Sequence, residues 1–147
     1  MFLITDFLFD DEIRLVLDKT TPANEALGFV PSYRFFIQDR NGIRMGVCDL
    51  RLGYNENTYY GGNIGYRVYE EFRGHRYAEK AVRLLLKLAE KHKMPYLIIT
   101  CNPENAASRK TIERAGGIFM EKAVLPADSL LRLRGETEKL VYRIELM

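Results

Sequence analysis

The sequence predicts an α/β fold of the α+β kind. It is a mixed sheet of six to seven strands, an antiparallel meander followed by a βαβ crossover, with helices on both faces. Three observations predict it. Asn41-Gly42 lies between two runs that read as strands and is the strongest hairpin signal in the chain. From Tyr77 to His92 the apolar period becomes helical: Ala78, Ala81, Val82, Leu85, Leu88 and Ala89 share a face opposite Glu79, Lys80, Arg83, Lys87 and Glu90. The run MPYLIITC (94–101) is continuously apolar and led in by Pro95, the pattern of a strand covered on both faces.

The remaining elements follow in order. EIRLVLDK (12–19) alternates Ile13, Leu15 and Leu17 against Glu12, Arg14 and Asp18, as a first strand does. Pro22 and Gly28 leave room only for a short helix in 20–28. SYRFFIQD (32–39) and RMGVCDLRLG (44–53) are the hairpin strands, 54–62 reads as a longer turn, and NIGYRVYE (63–70) closes the meander. After the helix at 77–92 and the strand at 94–101, residues 102–117 form a second helix, with Asn105 as its N-cap and Gly116-Gly117 as its stop. IFMEKAVL (118–125) and EKLVYRIEL (138–146) are a final strand pair around the loop LPADSLLRLRGET. The second of these strands is a candidate dimer edge, which leaves a homodimer open. No linker or internal repeat divides the chain, so one domain over 1–147 is expected.

The composition, 47% hydrophobic and 29% charged, is that of a folded globular chain. A balance of 22 basic to 20 acidic residues supplies no basic stripe for nucleic acid. The apolar runs are too short to cross a bilayer, and the apolar start MFLITDFLFDDE has no basic leader and carries Asp6, Asp10 and Asp11. Cys48 and Cys101 sit in apolar, strand-like runs and read as buried free thiols, and a cytoplasmic location is expected. Two histidines, His75 and His92, give no metal-ligand spacing. His92, near a helix end, is expected to complement the helix dipole.

The segment EEFRGHRYAEKA (70–81) places Arg73, His75 and Arg76 around Gly74 where a helix must begin. A helix start already carries unpaired N–H groups and partial positive charge, so added cations there do little for stability and suit a phosphate. A second reading stays open: Arg73 and Arg76 pair on the surface with Glu70, Glu71 or Glu79. Two more groups stand out. Asn105-Ala106-Ala107-Ser108 opens the second helix, where Asn105 and Ser108 are also at home without any function. Tyr54, Tyr59, Tyr60 and Tyr66 cluster with Glu56 in a stretch too polar and glycine-rich for a core strand, and are expected to wall an acceptor pocket.

Arg73-Gly74-His75-Arg76-Tyr77-Ala78 and Asn105-Ala106-Ala107-Ser108, with the order of elements over roughly residues 12 to 146, resemble the GNAT superfamily of acyl-CoA-dependent N-acyltransferases. The second motif is similar to that of the branch acetylating protein N-termini and small amines. The resemblance implies acetyl-CoA as co-substrate and a small-molecule or peptide amine as acceptor, with direct attack of the amine on the thioester. It implies that Arg73, Gly74, His75, Arg76, Tyr77 and Ala78 hold the pyrophosphate, while Tyr66, Val68, Asn105 and Ser108 line the pantetheine arm. The Val68 N–H would polarise the thioester carbonyl, and Ser108 is the nearest substitute for the acid. From the tyrosine cluster, Tyr66 included, the expected proton acceptor is Glu56 or a water that the tyrosines hold. Two positions depart from the family pattern. Arg76 replaces the second loop glycine, and Ile112 stands where many members carry a tyrosine acid. These departures favour a runner-up, a CoA-binding regulatory module without catalysis.

Overall fold

Period-two alternation in the first half of the chain and helical periodicity after it set the architecture of the computed structural model, which describes residues 1–147. In chain order the elements are β1 (Ile13–Thr21), β2 (Ser32–Asp39), β3 (Arg44–Arg51), α1 (Glu56–Gly61), β4 (Ile64–Val68), α2 (Tyr77–Lys91), β5 (Tyr96–Cys101), α3 (Ala106–Arg114), β6 (Ile118–Val124), α4 (Leu130–Leu133) and β7 (Glu138–Glu145). Two 3-10 turns, Glu25–Leu27 and Glu70–Phe72, lie between them. No helix is long and apolar enough to cross a membrane.

Seven strands form two antiparallel sheets, ordered β1-β2-β3-β4 and β5-β7-β6. The β2–β3 hairpin turns at Asn41-Gly42 as expected, with Asp39 Oδ1 accepting from the Asn41 and Ile43 N–H groups. Helix α2 packs on the four-stranded sheet, and the main core forms between them from Tyr33, Phe35, Ile37, Leu50, Leu84, Leu85 and Leu88, all buried, with Leu97 and Ile99 from β5. Each such side chain stabilises the fold by about 1.5–3 kcal/mol. Successive residues of β7 face opposite ways: Tyr142 joins the main core and reaches Glu113 of α3, whereas Val141 packs with Ile98, Ala123 and the tyrosines of α1. Helices α1 and α3 therefore cover opposite faces of the second sheet.

Three expectations are corrected. Residues 54–62 are not an open turn. Asn55 and Thr58 make a capping box that starts α1. A six-residue helix with glycine at its end has little propensity of its own, so the cap and its packing on β5 hold it. Strand β7 is not an edge, because β5 and β6 flank it on both sides and satisfy both of its backbone rows. The edges of this sheet are β5 and β6. His92 does not act as a dipole-complementing cation: its Nε2 lies 2.6 Å from Tyr33 Oη, which itself accepts from the Leu3 N–H. Burial lowers its pKa below the ordinary 6.5, so the ring shares this hydrogen bond with the tyrosine in its neutral form.

Strands β4 and β5 meet at one end only. There Asn63, fully buried, donates its N–H to the Ile98 carbonyl, and its Oδ1 accepts from the Ile98 N–H. Its Nδ2 donates to the Arg51 and Gly53 carbonyls, tying the joint to β3. Gly62 precedes it at φ 84°, and a side chain there would press on the Ile98 carbonyl and the Thr100 N–H. Beyond this joint the two sheets share no ladder, and β4 keeps one backbone edge free.

Candidate functional site

The free edge of β4 is defined by its pairing. Tyr69 N–H bonds Met45 O, and Arg51 N–H bonds Asn63 O, so the odd-numbered residues face β3. By alternation the backbone groups of Tyr66 and Val68 face the gap between β4 and β5. The Val68 carbonyl is met there by Arg73 Nε at 3.0 Å. That contact uses one of five guanidinium donors and leaves the outer nitrogens free.

The turn leading into α2 has Gly74 at φ 91° and Arg76 at φ 63°, ψ 26°. Left-handed backbone at two places in one short turn bends successive N–H groups toward a common side, next to the open N-terminus of α2. The second position explains the departure noted in the sequence: glycine adopts this conformation freely, whereas arginine holds it at a cost of about 1–2 kcal/mol. Arg76 is the N-cap residue of α2 and makes no side-chain cap bond. Glu79 pairs instead with Arg83 at 3.2 Å, and no carboxylate lies within ion-pair distance of Arg73 or Arg76. The surface-network reading therefore does not describe this turn.

Across the gap, Asn105 Oδ1 accepts from the Ser108 N–H at 3.0 Å and starts α3. This sets Ser108 Oγ 2.6 Å from Tyr66 Oη. Burial raises the Tyr66 pKa above the ordinary 10, while hydrogen bonding from Ser108 and Thr111 works against it. At neutral pH Tyr66 is a phenol with a proton to give, and Ser108 can pass one to it. Ile112 is fully buried in the core and takes no part. Cys101, buried at the end of β5, has its thiol pKa pushed up by burial, which suppresses its nucleophilicity.

The α2 turn, Tyr66, Val68, Asn105 and Ser108 line one cleft of about 640 Å³. Of the residues proposed from sequence, it gathers Tyr66, Val68, Arg73, Gly74, Arg76, Tyr77, Ala78, Asn105 and Ser108. The His75 ring is exposed and lies outside the lining, tilted against Tyr77. Sequence reasoning missed Phe72, Glu79, Ala107, Lys110, Thr111 and Arg114, which complete the walls. Ser108, Thr111 and Arg114 recur at helical spacing from Asn105, so the α3 residues were findable once that helix face was fixed.

Glu56 is not brought to Tyr66. With Tyr60 it lines a second cleft of about 580 Å³, walled by the β1–β2 connection (Leu27, Phe29, Val30), by α1 and by Asp128, Leu130 and Arg134 near α4. The tyrosine group divides. Tyr54 stacks on Tyr96, Tyr59 bonds Glu121, and Tyr66 stands alone in the first cleft. Helix α1, which walls this second cleft, is tied to β5 where Thr100 Oγ1 donates to Tyr60 O. The first cleft is walled by α3, on the opposite face of the second sheet.

Comparison with solved structures places this architecture among acetyltransferases. A GNAT-family acetyltransferase from Bacillus anthracis has a TM-score of 0.62 at 21% identity, over 77% of this chain and 66% of that one. A variant of the spermidine N-acetyltransferase of Vibrio cholerae gives 0.62 at 15% identity, over 78% and 64%. A microcin self-immunity acetyltransferase in complex with acetyl-CoA and AMP gives 0.60 at 21% identity, over 78% and 61%. The chain thus spans just under two thirds of the length of these structures. None of the curated proteins compared with it matches. The family model described as an acetyltransferase (GNAT) domain matches residues 10–118, most of the chain. With the splayed strands and the turn at the start of α2, that match establishes that the chain belongs to the GNAT acetyltransferase family.

Proposed function

We propose that this chain transfers an acetyl group from acetyl-CoA to the amine of a small molecule or peptide. The observation that carries the reading is the Tyr66–Ser108 pair, set 2.6 Å apart beside the free edge of β4 in the cleft that opens on the α2 turn. The cleft fits the donor. Backbone N–H groups of residues 74–78, with the outer nitrogens of Arg73, converge where a diphosphate would sit. The free β4 edge offers backbone bonding to the amide-bearing pantetheine arm, as an added strand would use it.

On this reading the Val68 N–H hydrogen-bonds the thioester carbonyl oxygen and stabilises the charge that gathers on it. Such a donor is worth about 2.7–4 kcal/mol in acyl transfer. The acceptor amine forms the new N–C bond as the C–S bond breaks. Tyr66 gives its proton to the departing sulfur and recovers one through Ser108, while the amine proton leaves through the acceptor side to solvent. We assign that side to the second cleft, since its wall α1 covers the face of the second sheet opposite α3. Glu56 and Asp128 there suit recognition of an ammonium group. We read Glu56 in that role and not as partner of Tyr66.

The test is thiol release from acetyl-CoA over a panel of amines and N-terminal peptides, alongside calorimetric binding of CoA. Turnover with at least one amine, lost in Tyr66→Phe, is expected. Buried Ile112 favours the second reading, a CoA-binding module without catalysis, and binding without turnover on any amine would select it. Failure to bind CoA would sink both.

A further inference from the structure

The two faces of the four-stranded sheet are covered differently. Helix α2 packs on the face that carries Phe35, Ile37 and Leu50, whereas α1 packs on β5 and β7. The opposite face of β1–β4 is left to its own side chains. Strand register fixes which they are, because residues paired across an antiparallel ladder share a face. The central row is Val16, Phe36 and Val47, continued by Arg67 on β4. The row on one side is Arg14, Gln38 and Arg44, and the row on the other is Lys19, Arg34 and Asp49. A strip of half-buried apolar side chains is thus framed by cations along both flanks and at its β4 end.

Arginine lays its stem and planar head over apolar surface while keeping its charge in water. Arg44 shows this, with its guanidinium carbon 3.8 Å from the centre of the Phe36 ring. Both carboxylates of the face are already engaged, Asp18 with Arg34 at 3.2 Å and Asp49 with Arg51 at 2.9 Å. Arg14, Lys19, Arg44 and Arg67 are left with no carboxylate within ion-pair distance. In a chain of net charge +2 this is a local excess of positive charge. The acetyl transfer does not use it, since Tyr66 pairs with buried Cys48 and so lies on the α2 side of the sheet.

Whatever covers this face has to bring apolar surface to the strip and negative charge to its frame. Pairing the face with itself in a second copy sets cations against cations, which is repulsive. Nucleic acid brings phosphates, but its bases need open rings to stack on, and Phe36, the ring of the strip, is capped by Arg44. An acidic protein segment meets both demands. We propose that the outer face of β1–β4 docks a partner protein through a segment that sets a short apolar stretch between acidic residues. The apolar stretch lies along Val16, Phe36 and Val47, and the carboxylates reach Arg14, Lys19, Arg44 and Arg67. The surface is separate from the first cleft, and the inference does not rest on the donor reading.

Fluorescence anisotropy of the whole chain with labelled, N-acetylated peptides tests this. One probe is a glutamate-rich peptide with a central run of leucines, and its counterpart carries serines in their place. The wild type should bind the leucine probe about tenfold more tightly, as burial of a few methylene groups allows, and both probes more weakly as salt rises. Arg44→Glu/Arg67→Glu should weaken the leucine probe about tenfold or more. Lys87→Glu/Lys93→Glu, an equal charge change at exposed residues elsewhere, should leave it unchanged. Equal wild-type affinities for the two probes overturn the docking strip, as does a wild type that binds neither. Equal losses in the two double variants overturn it by reducing the effect to net charge. A single-stranded oligonucleotide held more tightly than the leucine probe would make this a nucleic-acid surface. A dimer in sedimentation that Arg44→Glu/Arg67→Glu dissociates would give the face to a second copy, and either result overturns the proposal. The contrast between the probes is read on the wild type, so it stands even where a variant fails to fold.

Discussion

Replacing Asn63 with alanine removes the side chain that joins β4 to β5. The residue is fully buried, and its side chain makes three hydrogen bonds: from Ile98 N–H at 2.9 Å, to Arg51 O at 3.0 Å and to Gly53 O at 2.8 Å. Alanine leaves the Ile98 N–H with no acceptor, at about 1–3 kcal/mol for a buried donor. The two carbonyls lose about 0.5–1.5 kcal/mol each. A total near 3 kcal/mol follows, which for a chain of this length lowers Tm by about 10 °C. Aspartate is no rescue at neutral pH, since it keeps the acceptor for Ile98 but aims a carboxylate at two carbonyl oxygens. Guanidinium denaturation of wild type, Asn63→Ala and Asn63→Asp measures the effect, with fluorescence and far-UV circular dichroism as coincident probes. A loss below 1 kcal/mol for Asn63→Ala would mean that the apolar packing of β5 closes this end of the gap without the clasp.

Tyr66→Phe should lower kcat by about a hundredfold or more with CoA affinity nearly unchanged, as general-acid removal does; steady-state kinetics beside calorimetry separate the two, and a change confined to KM contradicts the assignment. His92 has a lowered folded-state pKa through burial, so its contribution to stability is complete above 6.5 and is lost as pH falls through the folded value. Thermal unfolding from pH 7.5 to 4.5 should show that decline in wild type and a shallower one in His92→Gln, and parallel curves would assign the decline to other groups. Cys48 and Cys101 are buried with their thiol pKa values raised, so both should react with a thiol reagent only upon unfolding; fast labelling of the native chain would contradict the burial of β3 or β5.

The meander, α2 and the cap at Asn105 were legible because each rests on local pattern: an Asn-Gly turn, a 3.6-residue period, an asparagine before a helical run. The α2 turn was legible for a chemical reason, since cations at a helix start make poor sense without an anion. Other features depend on pairings that no local pattern encodes. Strands β6 and β7 both read as half-apolar, and nothing in either reveals that β7 takes the middle of its sheet. Helix α1 is too short to declare a period and depends on Asn55 and Thr58 capping each other. The contact of Tyr33 with His92 joins residues far apart in sequence, so His92 read as an ordinary helix-end cation. The cleft divided in the same way. Residues next to a motif were found, and Lys110 and Arg114 came to light only when α3 was set against α2. Glu56 fell near the tyrosines in sequence and on the far face of the sheet in space.

The connection at residues 22–31 holds only one 3-10 turn, yet it walls the second cleft together with the loop that carries α4. Both segments hang from ladder ends whose register is fixed by β2–β3 and β5–β7 pairing well away from them. Doubling the length of such a loop costs about 0.6 kcal/mol in closure entropy, little beside the stability of the sheets. Insertions and deletions at this face are therefore nearly free for the rest of the molecule. On the proposed reading of this face as the acceptor side, a lineage of such chains could exchange one acceptor for another by lengthening or trimming two loops, with the α2 turn and the Asn63 joint left untouched.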